Sequence, residues 1–343
     1  MTRRHHTVPQ VYLRAFADSA RRVRVIARDD PARSQVTSVR NACVEVGFYR
    51  VDPTAFEIPT DRTPPDPEAF EAHLSAFESR AASGLNKLSR SGMSGITKED
   101  WYHLINFIAL QTVRGNRFRQ DLDAVVNRAL ATYLGQVATD DHIWSWLEQH
   151  GEASDESAVA AFRHRLLGDG RPRLVPPQEF YVQESMKVAL TSLSGRLATG
   201  WRWSVIESRE PVLTSDEPVC WWGPGDEPIG FATAPVVWLP LGPRRILQLM
   251  AEDEMPTSLG LPGDSSDGRD QLVRRVNVLV AEQSHRWIVH HPADLPLEGV
   301  TLGPRTEWAE ELVDVIESGE ERRELWIHRR RPVPTPPVEE EAP

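Results

Sequence analysis

Four neighbouring stretches in the second half of the chain decide its fold class: WRWSVIES at 201–208, PVLTSDEPVCWW at 211–222, APVVWLPLG at 234–242 and RRILQLM at 244–250. They are rich in valine, tryptophan, leucine and isoleucine and are separated by sequences typical of tight turns, which predicts four β-strands. Strands joined by short turns pair antiparallel. A helix at 268–284 and a strand at RWIVHH (286–291) follow.

Most of the preceding chain carries helical periodicity. Between 67 and 90, Leu74, Phe77, Leu85 and Leu88 recur at helical spacing. Thr97 followed by Asp100 resembles a capping box that starts the next helix near residue 98. This helix either continues or restarts through 121–134. Further helices are predicted at 141–150, 156–167 and 179–198.

At the N-terminus, Pro9 suits the first turn of a helix whose Tyr12, Leu13 and Phe16 share one face. A strand is predicted at 22–28 and short extended pieces at 36–51. The predicted fold is therefore α+β: a helical middle segment packed with a mainly antiparallel sheet, with the N-terminal helix and strands joining the C-terminal sheet. We expect one composite domain over 1–330, with parts 1–56, 57–200 and 201–330, and a disordered tail over 331–343.

Composition makes several partners and sites less favoured. The formal net charge is −11 over 343 residues, so nucleic acid is a disfavoured partner because phosphate binding needs a basic surface. The two cysteines, Cys43 and Cys220, have no zinc-finger spacing and fit a reducing compartment. Neither a signal peptide nor an apolar run long enough to span a membrane is evident, so a cytoplasmic location is expected.

The first candidate site is His5-His6, directly before the predicted helix start. The positive end of a helix disfavours imidazolium, so neutral histidines there suit metal ligation or general-base catalysis. The same end would attract a phosphate or carboxylate. The alternative is an exposed N-terminal arm whose histidines have no role.

The second candidate is the turn Thr214-Ser215-Asp216-Glu217-Pro218, which ends an apolar strand. Asp216 could bind a metal or orient a histidine, and Ser215 could contact a substrate. The alternative is a structural turn, because Ser-Asp-x-Pro is favourable turn chemistry whatever the function.

The third candidate lies on the helices. Glu71 and Glu78 share a helical face, and so do Gln111 and Arg114. A glutamate and an arginine between packed helices form either a structural pair or part of a site. We expect Glu78 within reach of Arg114. Asn277, on the late helix, is a further inward polar residue for which a structural role is the simpler interpretation.

Common catalytic signatures are absent from the sequence. It contains no HExxH, GxSxG, GxGxxG or GxxxxGK[ST] pattern. This excludes zincin proteases, ordinary α/β-hydrolases, common dinucleotide-binding enzymes and P-loop NTPases as leading hypotheses.

The opening segment HHTVPQVYLRAF (5–16) has the form HHxxPxxYLxxF and is similar to the bacterial domain-of-unknown-function family 4238. Later landmarks follow in the family's order: Asn41 with Phe48-Tyr49, Glu71 to Glu78, Ala109-Leu110-Gln111 with Arg114, the Thr214–Pro218 turn, and Asn277. The resemblance covers residues 4–291. It implies one family unit and no particular reaction. It also favours a single functional site that is formed jointly by His5, His6, Gln111, Arg114 and Asp216.

These residues lead to a hydrolase hypothesis. His5, His6 and Asp216 would hold one divalent metal ion that activates water for hydrolysis, for example of a phosphoester in a nuclease-like reaction. Arg114 would neutralise the substrate anion, and Glu78 would act either as general base or as a supporting partner of the residues that contact the metal or substrate. Gln111, Ser215 and Asn277 would line the site. The alternatives are a non-hydrolytic metal enzyme with the same ligands, and a non-catalytic module that binds a small anionic ligand or a protein.

Overall fold

The computed structural model describes residues 4–50, 69–168, 171–225, 230–231, 233–318 and 321–332. Its helices include α1 Gln10–Leu13, α2 Ala69–Ser91, α3 Lys98–Val113, α4 Asn116–Val137, α5 Asp140–Gln149, α6 Glu156–Leu167, α7 Gln178–Lys187, α8 Ser194–Ala198 and α9 Ser266–Gln283. A π-helical turn over Val188–Leu193 joins α7 to α8. The predicted helices of the middle segment are present, and Thr97 and Asp100 form the predicted capping box.

The strands form antiparallel sheets. They are β1 Arg4–His6, β2 Arg22–Ala27, β3 Asp30–Ser38, β4 Val44–Val46, β5 Trp201–Glu207, β6 Thr214–Ser215, β7 Cys220–Trp222, β8 Val236–Gly242, β9 Arg245–Ala251, β10 Trp287–His290, β11 Thr306–Ser318 and β12 Glu321–Pro332. One sheet has the order β3-β2-β10-β6 and another β5-β9-β8-β7. The α+β class is confirmed, and the N-terminal strands do join the C-terminal part of the chain through the β2–β10 pairing.

The prediction of a single strand over 211–222 is wrong. It divides into β6 and β7, which belong to different sheets, with Asp216 and Glu217 between them. The two buried carboxyl groups lie where the chain crosses from one sheet to the other. This crossing point organises the candidate site.

The N-terminal segment also differs from the prediction. His5 and His6 lie in strand β1, paired with β4, and α1 begins only at Gln10. These histidines therefore lie in a strand and not at the positive end of a helix. Tyr12, Leu13 and Phe16 form the predicted buried face. The Tyr12 hydroxyl donates to the Pro240 carbonyl of β8 at 2.6 Å and lies 2.9 Å from the Thr214 hydroxyl of β6, so α1 links the two sheets.

The C-terminal hairpin β11–β12 was not predicted, because its sequence is rich in charges of both signs. It extends to Pro332, and the disordered tail stays a prediction. Residues 333–343 lie outside the described residues, as does the predicted loop at 57–67. The single-domain organisation stays a prediction. None of the helices described above is long and apolar enough to cross a membrane.

Candidate functional site

Asp216 holds the start of β10 against β6. Its Oδ1 accepts the His285 amide at 2.9 Å, and its Oδ2 accepts the Arg286 and Trp287 amides at 2.7 and 3.0 Å. Its own amide donates to the Trp287 carbonyl at 2.9 Å. Both carboxylate oxygens are therefore engaged by backbone that lies about seventy residues away in the sequence.

Glu217 lies at the N-terminus of the long helix α4. Its Oε1 accepts the Arg117 amide at 2.8 Å. A Cβ atom at Gly115 would lie 2.2 Å from the Glu217 carboxylate oxygens, so any other residue at that position would require the Glu217 side chain to move. The exposed amides and positive end of α4 thus face a carboxyl group that is 6% exposed.

The two carboxyl groups have different environments. Burial raises the pKa of Glu217 to about 8, and the nearby charge of Asp216 adds to the increase while the Arg117 amide opposes it. Burial also raises the pKa of Asp216, to about 7, against the pull of its three amide donors. Since Asp216 accepts three amides and Glu217 accepts one, we assign the negative charge to Asp216 and the retained proton to Glu217 near neutral pH.

Glu217 lines a cavity of about 260 Å³ between α4 and β7. Arg117 and Asp121 of α4 also line it. The rest of the wall is mainly apolar and includes Phe118, Leu122, Val125, Val219, Trp221 and Phe231. An apolar cavity with a few converging polar groups is the usual form of a small-molecule site.

Arg114 forms a buried network beside this region. It donates to Glu78 at 2.7 Å, to the His6 carbonyl at 2.7 Å and to the Tyr49 hydroxyl at 3.0 Å. The predicted pairing of Arg114 with Glu78 is confirmed. The guanidinium is 4% exposed and its charge is neutralised by Glu78, so binding of a substrate anion there would require this pair to open.

The predicted histidines have separate partners. His5 is buried and its Nδ1 accepts the Tyr49 amide at 2.8 Å. His6 Nε2 lies 3.1 Å from the Arg40 carbonyl, and burial lowers its pKa. His5 is the cross-strand partner of Glu45, whose charge contributes to the raised pKa of Asp216.

The predicted metal ligands His5, His6 and Asp216 do not form a preformed centre. Within the described parts of the chain, no three His, Cys, Asp or Glu side chains are grouped so that they could hold a metal ion. The metal site and the divalent ion therefore stay predictions.

The remaining predicted residues are enclosed by protein. The Ser215 hydroxyl donates to the Glu217 carbonyl at 2.9 Å and accepts the Glu217 amide at 3.1 Å. The Asn277 amide accepts the Leu213 N–H and donates to the Pro211 carbonyl. Gln111 is 2% exposed, and neither polar atom of its amide has a hydrogen-bond partner among the described residues. No contact in the described chain explains why this position carries an amide.

Comparison with known proteins identifies the family. The family model described as a protein of unknown function (DUF4238) matches residues 4–294. The chain belongs to the DUF4238 family. No curated protein and no solved structure matches the chain.

Sequence reasoning on this DUF4238 chain missed Glu217, Gly115 and Arg117. Glu217 is adjacent to the selected Asp216, and two consecutive acidic residues after an apolar strand were the available signal. Nothing in the local sequence relates Glu217 to Gly115, because their contact joins positions about a hundred residues apart. The crossing of the two sheets brings them together.

Replacement of Asp216 by asparagine is expected to destabilise this DUF4238 chain by about 2 kcal/mol, because an amide nitrogen would replace a carboxylate oxygen that accepts backbone N–H groups of His285, Arg286 and Trp287. Urea unfolding of Asp216→Asn against the exposed control Asp253→Asn measures the difference. Unchanged stability together with a loss of bound metal would instead support the metal-ligand role.

Proposed function

We propose that this protein is a hydrolase of a small ester that carries an anionic group, with phosphoesters as the first class to test, and that Glu217 is its general acid. One observation carries the proposal: Glu217, a buried carboxyl group whose pKa burial raises to about 8, lines a cavity of about 260 Å³ together with Arg117. A perturbed carboxyl group in a cleft is a marker of acid–base catalysis.

The residues that line the cavity suit different roles in the hydrolysis of such an ester. Arg117 would bind the anionic group of the substrate, and the apolar wall would hold the rest of the molecule. Glu217 would donate its proton to the leaving oxygen while water attacks the ester, and the resulting carboxylate would regain a proton from the attacking water. The ionised Asp216 would remain fixed by its three amides and maintain the raised pKa of Glu217.

This mechanism leaves the predicted metal requirement open to a direct test. Asp121 and Glu217 line the cavity, and Mg²⁺ is often held by one or two carboxylates together with substrate phosphates. Assays with EDTA and with added Mg²⁺, Mn²⁺ or Zn²⁺ distinguish hydrolysis without a metal ion from metal-assisted hydrolysis. A strict dependence on metal would return the hydrolase to the metal-assisted form that the sequence suggested.

The test is a screen of p-nitrophenyl phosphates and carboxylic esters between pH 6 and 9. For any substrate that is turned over, Glu217→Gln is expected to lower kcat about 100-fold, because general acid catalysis contributes at least this factor. The rate of the wild-type protein should fall as the pH rises through about 8, where Glu217 loses its proton. The matched control is Glu298→Gln, which changes an exposed glutamate.

Two outcomes would contradict the proposal. One is turnover that Glu217→Gln leaves unchanged. The other is binding of substrates in the cavity without turnover of any of them, which would support the alternative of a non-catalytic binding module.

A further inference from the structure

Four arginines converge on a surface groove on a different part of the fold. Arg14 follows α1, Arg90 lies in the last turn of α2, and Arg244 and Arg245 lie at the turn between β8 and β9. The groove has a volume of about 790 Å³. It shares no lining residue with the cavity at Glu217.

The walls of the groove are held together by specific contacts. Arg245 Nη1 donates to the Ser89 carbonyl near the end of α2 at 2.6 Å, which ties the β8–β9 turn to this helix. The Arg244 guanidinium makes a two-point contact with Asp294, at 3.0 and 2.9 Å. The groove is therefore a fixed feature of the packing between α2 and the sheet.

The charges of the groove are not balanced. Arg244 is paired with Asp294 and Arg245 with Glu207. Arg14 and Arg90 are exposed and have no acidic partner among the described residues. The described residues that line the groove include no Asp or Glu. The negative end of α2 supplies only about half a charge, so about one and a half positive charges are left uncompensated in a chain whose net charge is −11.

We infer that this groove binds a small molecule that carries two or more linked phosphate groups. Arginine binds phosphate through parallel hydrogen bonds from its planar guanidinium, and Arg14 and Arg90 approach from two different elements. The Asn86 side chain adds a neutral donor to the same wall. The volume lies within the usual range for small-molecule sites.

The lining also argues against a nucleic-acid strand. It contains no aromatic side chain: the apolar members are Ala15, Leu241 and Pro243. Proteins that bind single strands stack bases on aromatic rings, and the groove offers no such surface. The groove therefore recognises the phosphate groups of its ligand and not a nucleic-acid base.

The experiment is isothermal titration calorimetry of the full chain with pyrophosphate, tripolyphosphate and orthophosphate at low and moderate salt. We expect tripolyphosphate and pyrophosphate to bind and orthophosphate to bind more weakly. Arg14→Gln and Arg90→Gln should each weaken tripolyphosphate binding about tenfold, the loss of one charge-assisted contact. The matched control is Arg80→Gln, an exposed arginine on the same helix as Arg90 that does not line the groove.

The result is independent of the proposed hydrolase. Arg14→Gln and Arg90→Gln should leave any hydrolysis rate unchanged, because neither residue lines the cavity at Glu217. The inference is overturned if neither pyrophosphate nor tripolyphosphate binds, or if Arg80→Gln weakens binding as much as the groove variants do. A single-stranded oligonucleotide could instead bind more tightly than tripolyphosphate and lose this binding in Arg14→Gln and Arg90→Gln. That result would overturn the inference of a small phosphate ligand and identify nucleic acid as the ligand of the groove. Thermal unfolding of each variant verifies that these exposed substitutions leave the fold intact.

Discussion

Raising the pH from 5 to 8 is expected to lower the free energy of unfolding through Glu217 by roughly 3.5 kcal/mol, the value for one carboxyl group whose pKa rises from about 4.5 unfolded to about 8 folded. Over this interval the folded protein keeps a proton that the unfolded chain has released. The unfolded chain binds fewer protons, so stability falls as the pH rises. Glu217→Gln has no such proton and should lose less stability.

The measurement is the urea unfolding of wild-type protein and Glu217→Gln at half-unit intervals from pH 5 to 8. Other groups titrate in the same interval. Burial lowers the pKa values of His6 and His290, which makes stability rise with pH, and burial raises the pKa of Asp216 to about 7, which makes stability fall with pH. The difference between the two proteins at each pH removes most of that contribution. Glu217→Gln should become the more stable of the two as the pH approaches 8. Parallel curves would show that Glu217 is ionised in the folded protein, and the assignment of its proton would be wrong.

Replacement of Arg114 by methionine is expected to destabilise the protein by about 3 kcal/mol, the low end of the range for breaking a buried ion pair. The change removes the donors to Glu78, to the His6 carbonyl and to the Tyr49 hydroxyl. Glu78 is 20% exposed and can regain some hydration, which keeps the loss at the low end. Arg80→Met, on the exposed side of α2, should change stability little.

A double-mutant cycle separates the pair from the rest of the network. If the Arg114–Glu78 contact carries the effect, Glu78→Gln should cost much less in the Arg114→Met background than in the wild type. Additive losses would show that the bonds to His6 and Tyr49 account for the stabilisation. If Arg114→Met is as stable as the wild type but binds an anionic substrate more weakly, Arg114 neutralises the substrate anion, which is the role that the sequence suggested.

The periodicity of apolar residues was sufficient to predict the helices. Leu74, Leu85 and Leu88 recur at helical spacing and are buried in α2, and Tyr12, Leu13 and Phe16 form the buried face that links α1 to both sheets. These signals are local, since the spacing of side chains along one element determines which of them can share a face. The pairing of Glu78 with Arg114 was also predictable, because the polar faces of two successive helices had to meet.

The sequence alone therefore determined the α+β class, the family resemblance and most element positions, because these depend on neighbours within a few turns of chain. Only the tertiary structure decided that the turn at Asp216 and Glu217 separates two sheets, that His5 and His6 lie in a strand, and that the N-terminus of α4 meets Glu217 at Gly115. Each of these features depends on contacts between segments far apart in the sequence. The pKa of Glu217 has the same origin, because burial and the charge of Asp216 arise only when the two sheets and α4 have packed together.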